Sequence, residues 1–366
     1  YLNSEGSVEL GAIATDLHPQ LDHLQAPRDH QVWFDGTLPH TSDGKVISAL
    51  SNVADQKKLN ENFRASLRFS CKPEGGYPSY FEKMESYVKI LSHPVKKLYP
   101  VLSAKTYRTK FASANDPVFQ YRDSASTRVG ITGITSRLAQ PKVAIVGLGG
   151  TGSYILDGLA KTPVQEIHLF DGDIFEQHNA FRSPGAPSAK SLLKPQMKVA
   201  YFSKLYGHMH KGISKHPYFL DDQNVDDLED FDFVFISVDS GHARSLIGKY
   251  LIEHQIPFID VGMGLDVVDD KDTVFGTCRV TLVTPEQSDH YLKRVNREDG
   301  FDEIYASNIQ IADVNMLNAS MALLRWKKYL GFYADHTHEH STAYSINSHT
   351  LTRDDTVQDN GSIDED

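Results

Sequence analysis

The chain reads as an α/β protein, a doubly wound, mainly parallel sheet preceded by a smaller α+β N-terminal domain. Three observations lead there. Lys142-Val143-Ala144-Ile145-Val146 is a continuous apolar strand that runs into a glycine-rich turn and then a helix. Strands and helices alternate from there through Val261, as a sheet covered on both faces requires. Residues 1–115 lack that rhythm.

In the N-terminal part, His30-Gln31-Val32-Trp33-Phe34-Asp35-Gly36 predicts a strand entering a turn, with Gly44-Lys45-Val46-Ile47 as its hairpin partner. Phe63 to Cys71 alternates as a further strand, and Lys72 to Gly76 forms a turn. Phe81, Met84, Tyr87, Val88 and Leu91 recur at helical spacing, which predicts a helix over Tyr80 to Leu91. No motif in this part carries chemistry.

Residues 116–335 form the second predicted domain. Beyond the first strand come a helix from Ser153 to Lys161, a strand from Glu166 to Phe170 and a helix from Met197 to Tyr206. A strand over Phe231 to Val238, a helix over Ala243 to Glu253 and a strand over Pro257 to Val261 follow. Thr277 to Val283 is one more strand, and Ile311 to Tyr329 a long helix. Residues 336–366 read as a polar acidic tail.

Composition narrows the function. Of 366 residues, 40% are hydrophobic and 10% aromatic, enough for a sizeable core. Lysine and arginine total 37 against 48 acids, a formal net charge of -11, which argues against nucleic-acid and anionic-membrane surfaces. The two cysteines, Cys71 and Cys278, form no CxxC pair, so no structural zinc is expected and a reducing compartment is. No apolar run approaches a bilayer span, and no basic-then-apolar leader opens the chain. The expectation is a cytoplasmic protein. Alternating histidines at His336, His338 and His340 read as an adventitious metal binder.

Gly147-Leu148-Gly149-Gly150-Thr151-Gly152 matches GxGxxG between a strand and a helix, and Ser153 opens the helix proper. Glycines let backbone approach phosphate, and a helix N-terminus offers free N–H groups, so this is a Rossmann-like nucleotide site. Asp171 ends the next strand, where an acid takes ribose hydroxyls. The loop alone does not separate NAD from ATP.

The next residues, Asp171-Gly172-Asp173-Ile174-Phe175-Glu176-Gln177-His178-Asn179-Ala180-Phe181-Arg182, have the form DxDxFxxxNxxR. Lys198 opens the following helix, and Asp239 and Arg244 make a DxxxxR step after the strand at Phe231 to Val238. This set resembles the MoeB/ThiF family, the adenylating fold shared with ubiquitin-activating enzymes. The resemblance covers about Phe119 to Tyr333 and implies ATP with Mg2+. It implies that Arg182 and Lys198 hold the triphosphate, that Asn179 adds a neutral donor, that Asp239 holds magnesium and that Asp171 binds ribose. Asp173 orients the loop. Arg122, with Arg128 and Arg137 nearby, stands where the family carries an arginine that reaches into a partner subunit, which implies a homodimer. The implied substrate is the C-terminal carboxylate of a ubiquitin-like protein, with a conjugating enzyme as a further partner. Bacterial relatives found with ubiquitin-like proteins carry such an added N-terminal domain. The alternatives are an NAD-dependent oxidoreductase and a non-catalytic binding module.

Two family features are missing. The zinc-binding CxxC pairs are absent, and the crossover stretch from Thr284 to Gln310 has no cysteine. Cys278 shares a strand face with Val280 and Leu282 and reads as core, as does Cys71. Ser307 is the hydroxyl nearest to where relatives place a nucleophile, and it equally suits a helix cap.

Overall fold

The computed structural model describes residues 1–17, 19–20, 23–24, 26–60, 63–105, 118–268, 273–291 and 309–354. The chain divides into two units, Tyr1–Thr109 and Lys110–Asp366. Ser307 and most of the crossover stretch lie outside the described residues.

The first unit holds β1 (Ala12–Ala14), β2 (Pro19–Gln20), β3 (His23–Leu24), β4 (Gln31–Asp35), β5 (Ser51–Asn60) and β6 (Phe63–Ser70), then α1 (Tyr80–Leu98). Four strands form an antiparallel sheet in the order β1-β4-β6-β5, and β2 and β3 pair separately. Val32 and Phe34 alternate inward along β4 and meet Phe69, Tyr87 and Leu91 in one core. The backbone N–H of Cys71 donates to Tyr87 Oη at 2.7 Å, which donates to His30 O at 2.6 Å, so the helix is tied to two strands. Ser79 caps α1 by accepting from Glu82 N–H.

The hairpin expected at Gly44 to Ile47 does not form. Both edges of β4 are taken, by β1 and β6, so no edge is open to it. Ile47 instead plugs the core at 6% exposure. The helix also runs past Leu91 to Leu98 with Pro94 inside it. Pro94 and Val95 are buried, and that packing offsets the one helical hydrogen bond that proline removes.

The second unit starts with two short helices, α2 (Ser124–Val129) and α3 (Thr132–Thr135), then β7 (Lys142–Val146) and α4 (Gly150–Leu159). There follow β8 (Glu166–Phe170), α5 (Gln177–Ala180), α6 (Ala189–Leu192), α7 (Lys198–Tyr206), β9 (Ile213–His216), β10 (Phe233–Ile236) and α8 (Gly241–Glu253). The unit closes with β11 (Phe258–Val268), β12 (Thr273–Val283), α9 (Ala312–Tyr329), β13 (Ser341–Ser345) and β14 (Thr350–Asp354).

Eight strands make one sheet in the order β14-β13-β12-β11-β10-β7-β8-β9. The five from β9 to β11 are parallel, and the rest add antiparallel. Val143 and Ile145 of β7 pack on one face with α4, α7 and Trp326 of α9. Ala144 and Val146 pack on the other face with Ile247 and Leu251 of α8. Burial on both faces is what the unbroken KVAIV run demanded. After β7 the chain moves one way to β8 and later the other way to β10. The strand order therefore reverses between β7 and β10, which opens a crevice at their carboxyl ends.

Three differences from the sequence reading stand out. Strand β9, four residues rich in polar groups, carries no apolar run to announce it. β11 and β12 extend to eleven residues each and pair along their whole length, far beyond the apolar cores that marked them. Residues read as a tail from 336 onward instead supply β13 and β14, which add to the edge at β12 through backbone pairing that their polar side chains do not disclose. Among the described residues no helix is long and apolar enough to cross a membrane.

Candidate active site

The crevice holds a cavity of about 550 Å³, within the range of about 300–1,000 Å³ usual for small-molecule sites. Its floor is the glycine loop. Gly147 has φ +90°, and a Cβ there would stand 2.4 Å from the Ser237 carbonyl at the end of β10. A Cβ on Gly152 would stand 1.9 Å from the Gly147 carbonyl, so the loop folds back on its own helix. Gly147, Gly149, Gly150 and Thr151 line the cavity.

Gly152 and Ser153 do not line it. Ser153 is fully buried and its Oγ donates to Gly150 O at 2.7 Å, so both residues build the loop from behind.

Asp171 lines the cavity and is also tied into the backbone around it. Its Oδ2 accepts the Leu148 N–H at 2.7 Å and its Oδ1 accepts the Asp173 N–H at 2.8 Å. At 5% side-chain exposure it clamps the glycine loop to the DxD turn, and each oxygen keeps a further lone pair. Asp173, 53% exposed on the cavity wall, is the freer carboxylate.

Lys198 stands at the start of α7 with only 6% exposure. Its Nζ meets Asp173 Oδ2 at 2.5 Å and Asp171 Oδ1 at 3.6 Å. Its backbone N–H donates to Asp173 O at 2.9 Å. Burial raises the Asp171 carboxyl above its ordinary value, and the Lys198 charge opposes that. Arg182 also lines the cavity. Burial draws its guanidinium down from the ordinary value, and Asp239 and Asp173 oppose this. Asp239 is exposed at the end of β10, on the same wall.

Asn179 does not line the cavity. It lies 5% exposed, and its Oδ1 accepts the Glu176 N–H at 2.8 Å in a capping box that starts α5. That turn presents Arg182 three residues on. Arg122 is exposed and takes no part in this cavity.

Arg279, Asn315 and Asn318 line the cavity and escaped the sequence reading, and Arg244 of the DxxxxR step lines it with them. Arg244 reaches under the loop: its Nε is 3.2 Å from buried Asp260, and Nη2 donates to Val238 O at 2.5 Å. It braces the backbone next to Asp239. Arg279 shares Asp260, with Nη2 at 2.6 Å. On α9, Asn315 Oδ1 accepts from Thr151 Oγ1 at 2.9 Å, and Asn318 Nδ2 donates to Gly262 O at 3.1 Å. Lone charges inside the apolar runs FIDVG and TCRVTLV, and two amides three apart on a buried helix face, were the available signals.

The family model described as the ThiF family matches residues 121–356. The chain belongs to the ThiF family. A second model, described as a domain of unknown function (DUF6791), matches residues 1–124. Among curated relatives of this ThiF-family chain, ubiquitin-like modifier-activating enzyme 5 of Drosophila willistoni is 26% identical, over 45% of this chain and 45% of its own. The adenylyltransferase and sulfurtransferase UBA4 of Saccharomyces cerevisiae is 27% identical over 36% of this chain and 30% of its own. SUMO-activating enzyme subunit uba-2 of Caenorhabditis elegans is 25% identical over 35% and 22%. The chain thus spans less than half the length of these relatives. In fold it is similar to E. coli MccB crystallised with MccA-N7isoASN, with TM-score 0.51, 17% identity, and 76% of this chain and 83% of that one covered. PaaA is similar at TM-score 0.50, with 16% identity and coverage of 76% and 92%.

Proposed function

We propose that this chain binds ATP in the crevice and adenylates a carboxylate, the C-terminal carboxylate of a ubiquitin-like protein. The observation that carries the reading is the convergence of Arg182, Lys198 and Asp239 on one cavity above the glycine loop. Two cations and a carboxylate suit a magnesium-bound triphosphate, with its greater negative charge, more than the two phosphates of a dinucleotide. The ThiF membership and the names of the relatives support the same reaction.

In the proposed step a substrate carboxylate oxygen attacks the α-phosphorus, and the bond to the bridging oxygen of the β-phosphate breaks. Pyrophosphate leaves with the bond's electrons, and an acyl-adenylate remains. Negative charge grows on the leaving group, so fixed cations accelerate the step. Arg182 and Lys198 neutralise the phosphates, and the loop N–H groups orient them. Asp171 takes the ribose hydroxyls, with Asp173 beside it on the cavity wall. When phosphate enters, Lys198 exchanges part of its contact with Asp173 for it.

Asp239 would hold magnesium. Among the described residues no group of three or more His, Cys, Asp or Glu side chains forms a metal cage. Magnesium asks for none here, since it binds through one or two carboxylates, phosphate oxygens and water. When bound it would add positive charge at the triphosphate.

The active unit in this reading is a homodimer, with Arg122 serving the partner's cavity. Transfer onward goes to a sulfur or amine donor, to a conjugating enzyme or to a hydroxyl such as Ser307. Cys278 is a poor acceptor: it is fully buried, and burial pushes its thiol up to about 11. Two free thiols suit a cytoplasmic location.

Calorimetry checks the nucleotide. ATP with magnesium should bind in the range of about 1 μM–1 mM usual for enzymes. Tight NADH binding with none for ATP would contradict the proposal.

A further inference from the structure

His168 on β8 and His216 at the end of β9 play no part in the proposed step, yet an unbroken line of polar contacts joins them to the cavity. Glu166 Oε2 lies 3.0 Å from His168 Nε2. His168 Nδ1 lies 2.9 Å from His216 Nε2. His216 Nδ1 lies 3.1 Å from Tyr218 Oη, which donates to Asp227 Oδ2 at 2.6 Å. Tyr218 is a cavity wall, and Phe219 and Leu220 continue it. Phe219 fills the space beside Gly172, where a Cβ would stand 2.7 Å from its ring. The wall therefore closes on the Asp171–Asp173 corner.

Four contacts in a row each need one hydrogen between their two atoms. The carboxylates at both ends only accept. Two neutral imidazoles bring one N–H each and Tyr218 brings one O–H, which leaves one contact without a hydrogen. A single added proton fills all four. We propose that the His168–His216 pair takes up one shared proton that completes this chain and locks Tyr218 against the nucleotide cavity, so that His216 is a positioning residue for the nucleoside. This rests on the nucleotide reading of the cavity.

Two carboxylates and an aromatic face oppose the burial that disfavours a cation here. The charged groups facing the pair are Glu166 from β8 and Asp227 from the 3-10 turn Val225–Leu228. From β7 the residue opposite His168 is Ala144. Phe170 stacks on His216 with centroids 4.0 Å apart and planes 9° apart, and Phe231 meets His168 edge-on at 4.9 Å. The Phe170 face can attract a charged imidazole. Burial, and then the neighbouring His168, hold His216 below the ordinary histidine value, with Asp227 opposing. The proton is therefore taken up below the ordinary histidine value and lost as pH rises. Nucleoside affinity should fall in the same direction.

The test joins imidazole-nitrogen NMR of the whole chain to adenosine binding. Adenosine is the probe because the terminal phosphate of ATP itself titrates on the order of pH 6. In the parent chain the two histidines should titrate as one coupled step, and adenosine affinity should drop about five-fold between about pH 5.5 and about pH 7.5, the worth of one hydrogen bond. Tyr218→Phe removes the acceptor of the added proton, so it should lower the pair's titration and leave adenosine binding weak and flat with pH. His216→Gln keeps a donor and an acceptor but does not titrate, so its affinity should also be flat. Independent titration of the histidines, or a Tyr218→Phe titration identical to the parent's, overturns the shared proton whether or not nucleotides bind. Normal ATP binding with adenosine affinity independent of pH in the parent overturns the positioning role. Loss of all nucleotide binding by the parent overturns the cavity reading itself, and the positioning role with it.

Discussion

Lys198→Ala should slow ATP-dependent pyrophosphate release by about 100-fold or more, the loss typical when a preorganised charge partner leaves a reaction site. The same change should weaken the fold at neutral pH, because Lys198 is the cation beside the buried carboxylate of Asp171. Breaking a buried pair costs about 3–5 kcal/mol in full burial. The half-exposed Asp173 and the two backbone N–H donors to Asp171 reduce that here. The pH dependence has a definite sign. The folded-state Asp171 carboxyl lies above its ordinary value, and loss of Lys198 raises it further. A carboxyl raised in this way favours folding with its proton on, and that advantage is lost as pH rises through the folded value. The variant's deficit should therefore be largest near about pH 7 and shrink towards about pH 4.5. Denaturant midpoints at the two pH values check this. Equal deficits would show that Lys198 does not compensate Asp171.

Mixing Arg122→Ala chains with Asp239→Ala chains, each inactive alone, should restore activity. Arg122 is exposed and stands apart from the cavity, whereas Asp239 is on its wall. If Arg122 acts across a dimer, a mixed pair has one site with both residues intact and one with neither. Recovery should approach half of the parent's rate per heterodimer, against a background reduced about 100-fold. Absence of recovery with heterodimers demonstrated by mass would reject action in trans. Arg137 is a poorer candidate for that arm, since its guanidinium already donates to Gly331 O.

The parts of this molecule that could be read from the sequence are those whose physics is local. A run such as Lys142–Val146 has to be buried on both faces, and Gly147 has to adopt a left-handed conformation, wherever they fold. Charges after strand ends, Asp171 and Asp239, fall at the crevice because parallel strands place their carboxyl ends together, and the turn after α5 brings Arg182 to it. What could not be read depends on partners distant in the chain. Asp171 has two acceptor oxygens in any sequence, and only the fold shows that Leu148 and Asp173 donate to them. Asn315 reaches Thr151 across 164 positions, which no local spacing reveals. β13 and β14 join the sheet through backbone hydrogen bonds, so their side chains stay polar and resemble a tail. The expected hairpin at Gly44 to Ile47 was locally sound and lost to β6, whose pairing with β4 is long-range.

The most direct test of the account is pyrophosphate exchange into ATP, measured with the full chain, magnesium and candidate ubiquitin-like proteins ending in Gly-Gly. The account predicts exchange that requires the free C-terminal carboxylate, and that Arg182→Ala and Lys198→Ala each reduce by about 100-fold or more. Exchange that persists undiminished in both variants, or ATP binding with no exchange for any carboxylate substrate offered, would contradict it.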